Sequence, residues 1–91
     1  LNDKDKVNFV NISMALGGLE RYEEALENCE KALEIDPNYS MAWNNKGYYL
    51  HKVGKSEEGL KDVEKALELD PNNQDALESK QEILEALGKT N

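Results

Sequence analysis

The chain repeats itself every 34 residues, and this period limits the fold more than any other feature. Glu23-Glu24-Ala25-Leu26 returns as Glu57-Glu58-Gly59-Leu60, and the run Glu30 to Asn38, with Asp36-Pro37-Asn38 at its end, returns as Glu64 to Asn72. Residues 22–39 and 56–73 share 11 identities in 18 positions, well beyond chance. A period of this length means stacked supersecondary units, because one such unit cannot bury its apolar face alone.

Each unit reads as two helices. Tyr22, Ala25, Leu26, Cys29, Ala32 and Leu33 fall on one helical face, and Leu60, Val63, Ala66, Leu67 and Leu69 repeat the pattern. Asp-Pro-Asn closes both segments, since proline cannot continue a helix and restricts the residue before it. Ala42, Trp43, Tyr49, Leu50 and Val53 give a further helical face, with Gly54 as its stop, and Gly17-Gly18 reads as the stop of the first helix. The spacing predicts five helices, near residues 4–17, 21–35, 40–53, 56–69 and 74–87, and no strand. Short connections make successive helices antiparallel neighbours.

Composition removes several function classes. The 91 residues carry a net charge of -8, which disfavours nucleic acid and anionic membrane surfaces, both of which reward Lys and Arg. No run approaches the roughly 20 apolar residues of a membrane span. The N-terminus, Leu1-Asn2-Asp3-Lys4-Asp5-Lys6, has no apolar core of a signal peptide, and with the single Cys29 it points to a cytoplasmic protein. It also reads as a processed piece or a segment of a larger parent.

The positions Trp43, Lys46-Gly47, Leu50, Gly59, Val63 and Pro71 place this sequence close to a known pattern, as do Phe9, Ile12-Ser13, Leu16, Ala25, Cys29 and Pro37 one unit earlier. The chain resembles the tetratricopeptide repeat family over almost its whole length. Lys46 and Lys80 depart from that pattern where Leu is usual, and Gly59 departs where Ala is usual. The resemblance implies an all-α, right-handed α-solenoid of antiparallel helix pairs, about 2.5 units in a single domain over residues 1–91. Repeat one covers 6–39, repeat two covers 40–73, and a capping helix covers 74–88. Gly47 and Ser13 are small where a partner helix approaches, whereas Gln81 at the same position of the last helix would obstruct one. That helix is therefore expected to cap the array through Ala76, Leu77, Ile83, Leu84 and Leu87.

Catalytic residue types are scarce. His51 has no cysteine or second histidine beside it for a transition-metal site, and Cys29 lies on an apolar face as a packed thiol. Most acids have the spacing of solvated helix faces, with Glu27 and Lys31, and Glu57 and Lys61, as ordinary i,i+4 pairs. The expectation is a non-enzyme with no catalytic residue, no metal and no cofactor.

Charge sorts by helix. Residues 20–36 carry -5 and 56–73 carry -4, whereas 37–55 carry +3. In the family, the second helix of each pair lies on the convex side and the first lines a groove, so most of the acidity is a solubilising coat. Carried over by position, the expected peptide-binding groove is Val7, Val10, Asn11 and Met14, then Met41, Asn44, Asn45, Tyr48, His51 and Lys52, then Asp75, Glu78, Ser79, Glu82 and Glu85. Asp75, Glu78, Glu82 and Glu85 are spaced 3-4-3 and share one third of the helix surface at roughly 100° per residue. The groove grades from apolar to acidic, which suits a protein or peptide ligand with a basic end. Some co-chaperone members grip a C-terminal carboxylate with Lys, Arg and Asn. The matching positions here are Val10, Met14, Asn45, Asp75 and Ser79, of which only Asn45 agrees. The first reading is an interaction module or scaffold. Its rivals are self-association through Val7, Val10, Met14 and Met41, and a regulatory segment of a larger enzyme.

Overall fold

The computed structural model of the chain describes residues 3–89. They form α1 (Asp3–Gly18), α2 (Tyr22–Ile35), α3 (Ser40–Lys52), α4 (Ser56–Leu69) and α5 (Gln74–Ala86), with no strand among the described residues.

The repeat recurs in the turns, hydrogen bond by hydrogen bond. After α1, α3 and α5 the backbone closes identically: Arg21 N–H donates to the Leu16 carbonyl at 2.9 Å, Lys55 N–H to Leu50 at 2.8 Å, and Lys89 N–H to Leu84 at 2.8 Å. This closure satisfies carbonyls left open at a helix end and requires one residue with positive φ. Gly54 (91°) and Gly88 (72°) supply it in two turns, but Glu20 (62°) supplies it in the first. The expected stop at Gly17-Gly18 is therefore not used, and α1 runs through both glycines. Gly17 has another role: a Cβ there would meet the Tyr49 ring at 2.5 Å. After α2 and α4, the Asp36 and Asp70 carboxylates each accept the backbone N–H two residues on, from Asn38 and Asn72, at 3.0 Å. Lys6, 2.6 Å away, and then that Asn38 amide hold the Asp36 carboxyl below the usual carboxylate range.

Small residues set the spacing within each hairpin. A Cβ on Gly47 would lie 2.5 Å from the Gly59 carbonyl oxygen and 2.6 Å from a Val63 methyl. One unit earlier, buried Ser13 and Ala25 occupy the matching places, and the Ser13 hydroxyl donates to the Val10 carbonyl at 2.7 Å. Gln81 stands exposed at the third such position, with its amide 3.0 Å from Glu85.

Between hairpins the two layers differ. Helices α1, α3 and α5 approach their neighbours closely, whereas α2 and α4 do not approach each other. The array therefore curves with α1, α3 and α5 on the inside, which leaves the acidic α2 and α4 outside. Trp43 lies against two cores, one built on Val10, Ala32, Leu33 and Ala42, the other on Val63, Ala66, Ala76 and Ile83. Its indole N–H donates to the Pro37 carbonyl at 2.7 Å. A third cluster gathers Ala25, Cys29 and Tyr49. At the end of α4, the Asn73 side chain caps α5 through the Ala76 N–H and donates to Ser40, whose hydroxyl donates to the Ala66 carbonyl.

The two lysines at leucine positions play one part twice. Lys46 lies 3.3 Å from Glu30 and Lys80 lies 3.8 Å from Glu64, both pairs reaching back to the preceding outer helix. Lys46 also lies 3.9 Å from Asp62, so it links α2 to α4. Three expectations need correction. Val53 follows α3 and is exposed, and Leu77 remains outside the cap's packing. Neither i,i+4 pair forms: Lys31 instead lies over the Phe9 ring and Glu57 pairs with Lys89 at 3.2 Å.

Two substitutions test these contacts. A left-handed non-glycine residue costs about 1–2 kcal/mol, of which glycine's extra chain entropy takes back roughly 0.5–1 kcal/mol. Glu20→Gly should therefore raise the thermal midpoint by several degrees, and an unchanged midpoint would show that the turn is not strained. Gly47→Ala should lower the unfolding free energy by about 1–3 kcal/mol in urea melts, as overpacking does; a neutral result would mean that α3 and α4 can part without loss.

Candidate functional site

The concave layer holds one cleft that draws on three helices. Met14 from α1, Asn44, Asn45, Tyr48 and Tyr49 from α3, and Asp75, Glu78, Ser79 and Glu82 from α5 line a space of about 390 Å³. Helical spacing brings Asn44, Asn45 and Tyr48 to one side of α3, and Asp75, Glu78 and Glu82 to the facing side of α5.

The carboxylates of α5 are not equivalent. Glu82 lies 3.4 Å from the His51 ring and 3.6 Å from the Lys52 ammonium, so α3 already answers its charge. The other His51 nitrogen shares a hydrogen bond with Ser56 at 2.7 Å. Asp75 and Glu78 have no ion pair among the described residues and face the cleft. Glu85 lies outside it, bonded to Gln81. Near the cleft, Lys52 lies 5.1 Å from the Tyr48 ring centre.

Several expected groove residues stand elsewhere. Val10 is 1% exposed and packs with Leu33 and Ala42 in the core, because α1 turns this face toward the junction of α2 and α3. It can neither touch a ligand nor contribute to a self-association patch. Val7, Asn11 and Met41 are exposed but do not line the cleft; His51 reaches it through Glu82, and Lys52 through Glu82 and the Tyr48 ring. Tyr49 is the residue that the expected groove lacks. It belongs to the core yet borders the cleft, and burial pushes its hydroxyl up to about 12. Its signal lay in the repeat: Tyr49 is the polar, oversized member of the register that places Ala15 and Ile83 one unit away on either side.

Cys29 is fully buried, and burial pushes its thiol up to about 11, against Ser13. At pH 8 only on the order of one thiol in a thousand would be ionised. Alkylation of Cys29 should therefore proceed no faster than global unfolding, with rates compared across denaturant; fast labelling of the native protein would contradict its place in the core. Among the described residues no cluster of His, Cys, Asp and Glu could hold a metal ion, and no helix is long and apolar enough to cross a membrane.

Models of the tetratricopeptide repeat match residues 28–61 and 14–39. No curated protein matches the sequence. Among solved structures, the chain is 31% identical to the first TPR of Spaghetti (RPAP3) bound to the HSP90 peptide SRMEEVD, covering 92% of this chain and 67% of that one with a TM-score of 0.83. It is likewise 31% identical to the first TPR domain of human RPAP3, covering 92% and 66% with a TM-score of 0.85. A third similar structure is the myosin chaperone UNC-45 from C. elegans in complex with an Hsp90 peptide, at 27% identity and a TM-score of 0.84; the chain covers 97% of itself and 10% of that protein.

Proposed function

The chain belongs to the tetratricopeptide repeat family, and from that membership we propose that it is an interaction module holding a peptide with a basic residue across its concave cleft. The reading is carried by one observation: Asp75 and Glu78 line the cleft with no cation paired to either among the described residues. Opposite them, Met14 offers an exposed apolar surface. An extended segment with an apolar residue toward α1 and a Lys or Arg toward α5 complements both. The module would serve as a scaffold, without catalysis of its own.

The peptides named for the similar structures are acidic, as in SRMEEVD. A carboxylate-gripping site needs cations, and this cleft supplies none at the matching positions. Val10 is in the core, Met14 is apolar, Asp75 repels a carboxylate and Ser79 is nearly buried. This exchange of residues supports a ligand of the opposite charge.

Calorimetric titration with SRMEEVD and with a capped peptide of alternating Leu and Arg tests the reading. The basic peptide should bind more tightly, and its affinity should fall as salt rises. Asp75→Lys with Glu78→Lys should weaken it about tenfold or more and invert the preference. Tighter binding of SRMEEVD by the unaltered chain would sink the reading.

A further inference from the structure

Helices α3 and α5 each turn one face back toward the unit before them, and that face is packed. In α3, Ala42 and Tyr49 are buried and Lys46 lies half-buried against α2. In α5, Ala76 and Ile83 are buried and Lys80 lies half-buried against α4. The same register in α1 is Asn8, Ile12 and Ala15, and all three are exposed. Leu19 continues the stripe just past the helix. Ile12 is 46% and Leu19 66% exposed, so large apolar side chains meet water where the other two inner helices meet protein. The spacing puts these four residues on one side of α1, turned away from the cleft side that carries Asn11 and Met14.

Charge says what can cover this face. From Val7 to Leu19, thirteen successive residues carry no ionisable side chain, in a chain of net charge -8. Two copies repel each other across the acidic surfaces of α2, α4 and α5, but not across α1. The stripe is also complementary to itself. A two-fold axis between Ile12 and Ala15 sets Ile12 of one copy over Ala15 of the other and Leu19 over Asn8, so that large side chains meet smaller ones. Growth from the opposite end is blocked, because exposed Gln81 stands where a following helix would press on α5. Two helices of 16 residues, roughly 24 Å long, offer less than a standard interface, so the contact is weak and depends on concentration.

We propose that the exposed stripe of α1 is a self-association surface, on which a second copy of this chain packs its own α1 antiparallel and leaves both concave clefts open. The surface is distinct from the patch of Val7, Met14 and Met41, and the proposal does not depend on what the cleft holds.

Sedimentation equilibrium from roughly 10 µM to 1 mM should show the mean mass rising from one chain toward two and no further. Ile12→Lys introduces the residue that the other two units carry at this place, so the helix tolerates it, and it brings the net charge nearer zero. It should nevertheless raise the dissociation constant about tenfold or more, whereas Met14→Lys, the same charge change on the cleft side of α1, should not. On dilution, the side-chain amide resonances of Asn8 should shift in NMR spectra and those of Asn11 should stay in place. A monomer at every concentration, growth beyond two chains, or a dimer that Ile12→Lys weakens no more than Met14→Lys overturns the inference.

Discussion

The near contact of two backbones at Gly47 and Gly59 governs the architecture. Helices can come this close only where neither carries a side chain, and the approach brings Val63 under α3 to seal the second core. Ser13 and Ala25, both fully buried, hold the matching places in the first hairpin. Once each pair is closed at this distance, the identical turns at Leu16, Leu50 and Leu84 repeat its geometry along the chain. Curvature then follows from contact between the inner helices α1, α3 and α5, and that contact makes a cleft from residues far apart in sequence.

The cleft illustrates how a repeat separates folding from recognition. Positions that face a partner helix vary little in size between units, as Ser13 and Gly47 do. Positions that face the concave side vary freely: Met14, Tyr48 and Glu82 occupy one register in three units. The ligand surface is thus assembled from one repeated geometry with a different chemistry on each helix. Glu82 shows a further layer of control, since the Lys52 ammonium answers its charge from within the protein, with the His51 ring alongside, and Asp75 and Glu78 are left to act outward.

Most of the fold was legible because period, apolar spacing and turn residues are local properties. The five helices fall within a residue of their expected ends, and Gly54 ends α3 as its spacing implied. What sequence could not show depends on neighbours from other units. Val10 looks like a groove residue until α2 and α3 converge on it, and Gly17 looks like a stop until the Tyr49 ring fills the space beside it. Ion pairs were the least legible, because long side chains reach between helices: Lys31 and Glu57 both leave their i,i+4 neighbours for partners elsewhere.

The lysines at the leucine positions give the array unequal sides. On the concave side, the spacing of successive units is set by packed atoms, which yield little. On the convex side, α2 and α4 stand apart and the gap is crossed by Lys46, held between Glu30 and Asp62. A partly exposed charge contact of this kind is screened by salt and tolerates small changes of distance. The module is therefore built like a hinged band with a stiff inner edge and a compliant outer one. Its bending should respond to ionic strength through the outer edge alone, while the register of the cleft stays fixed.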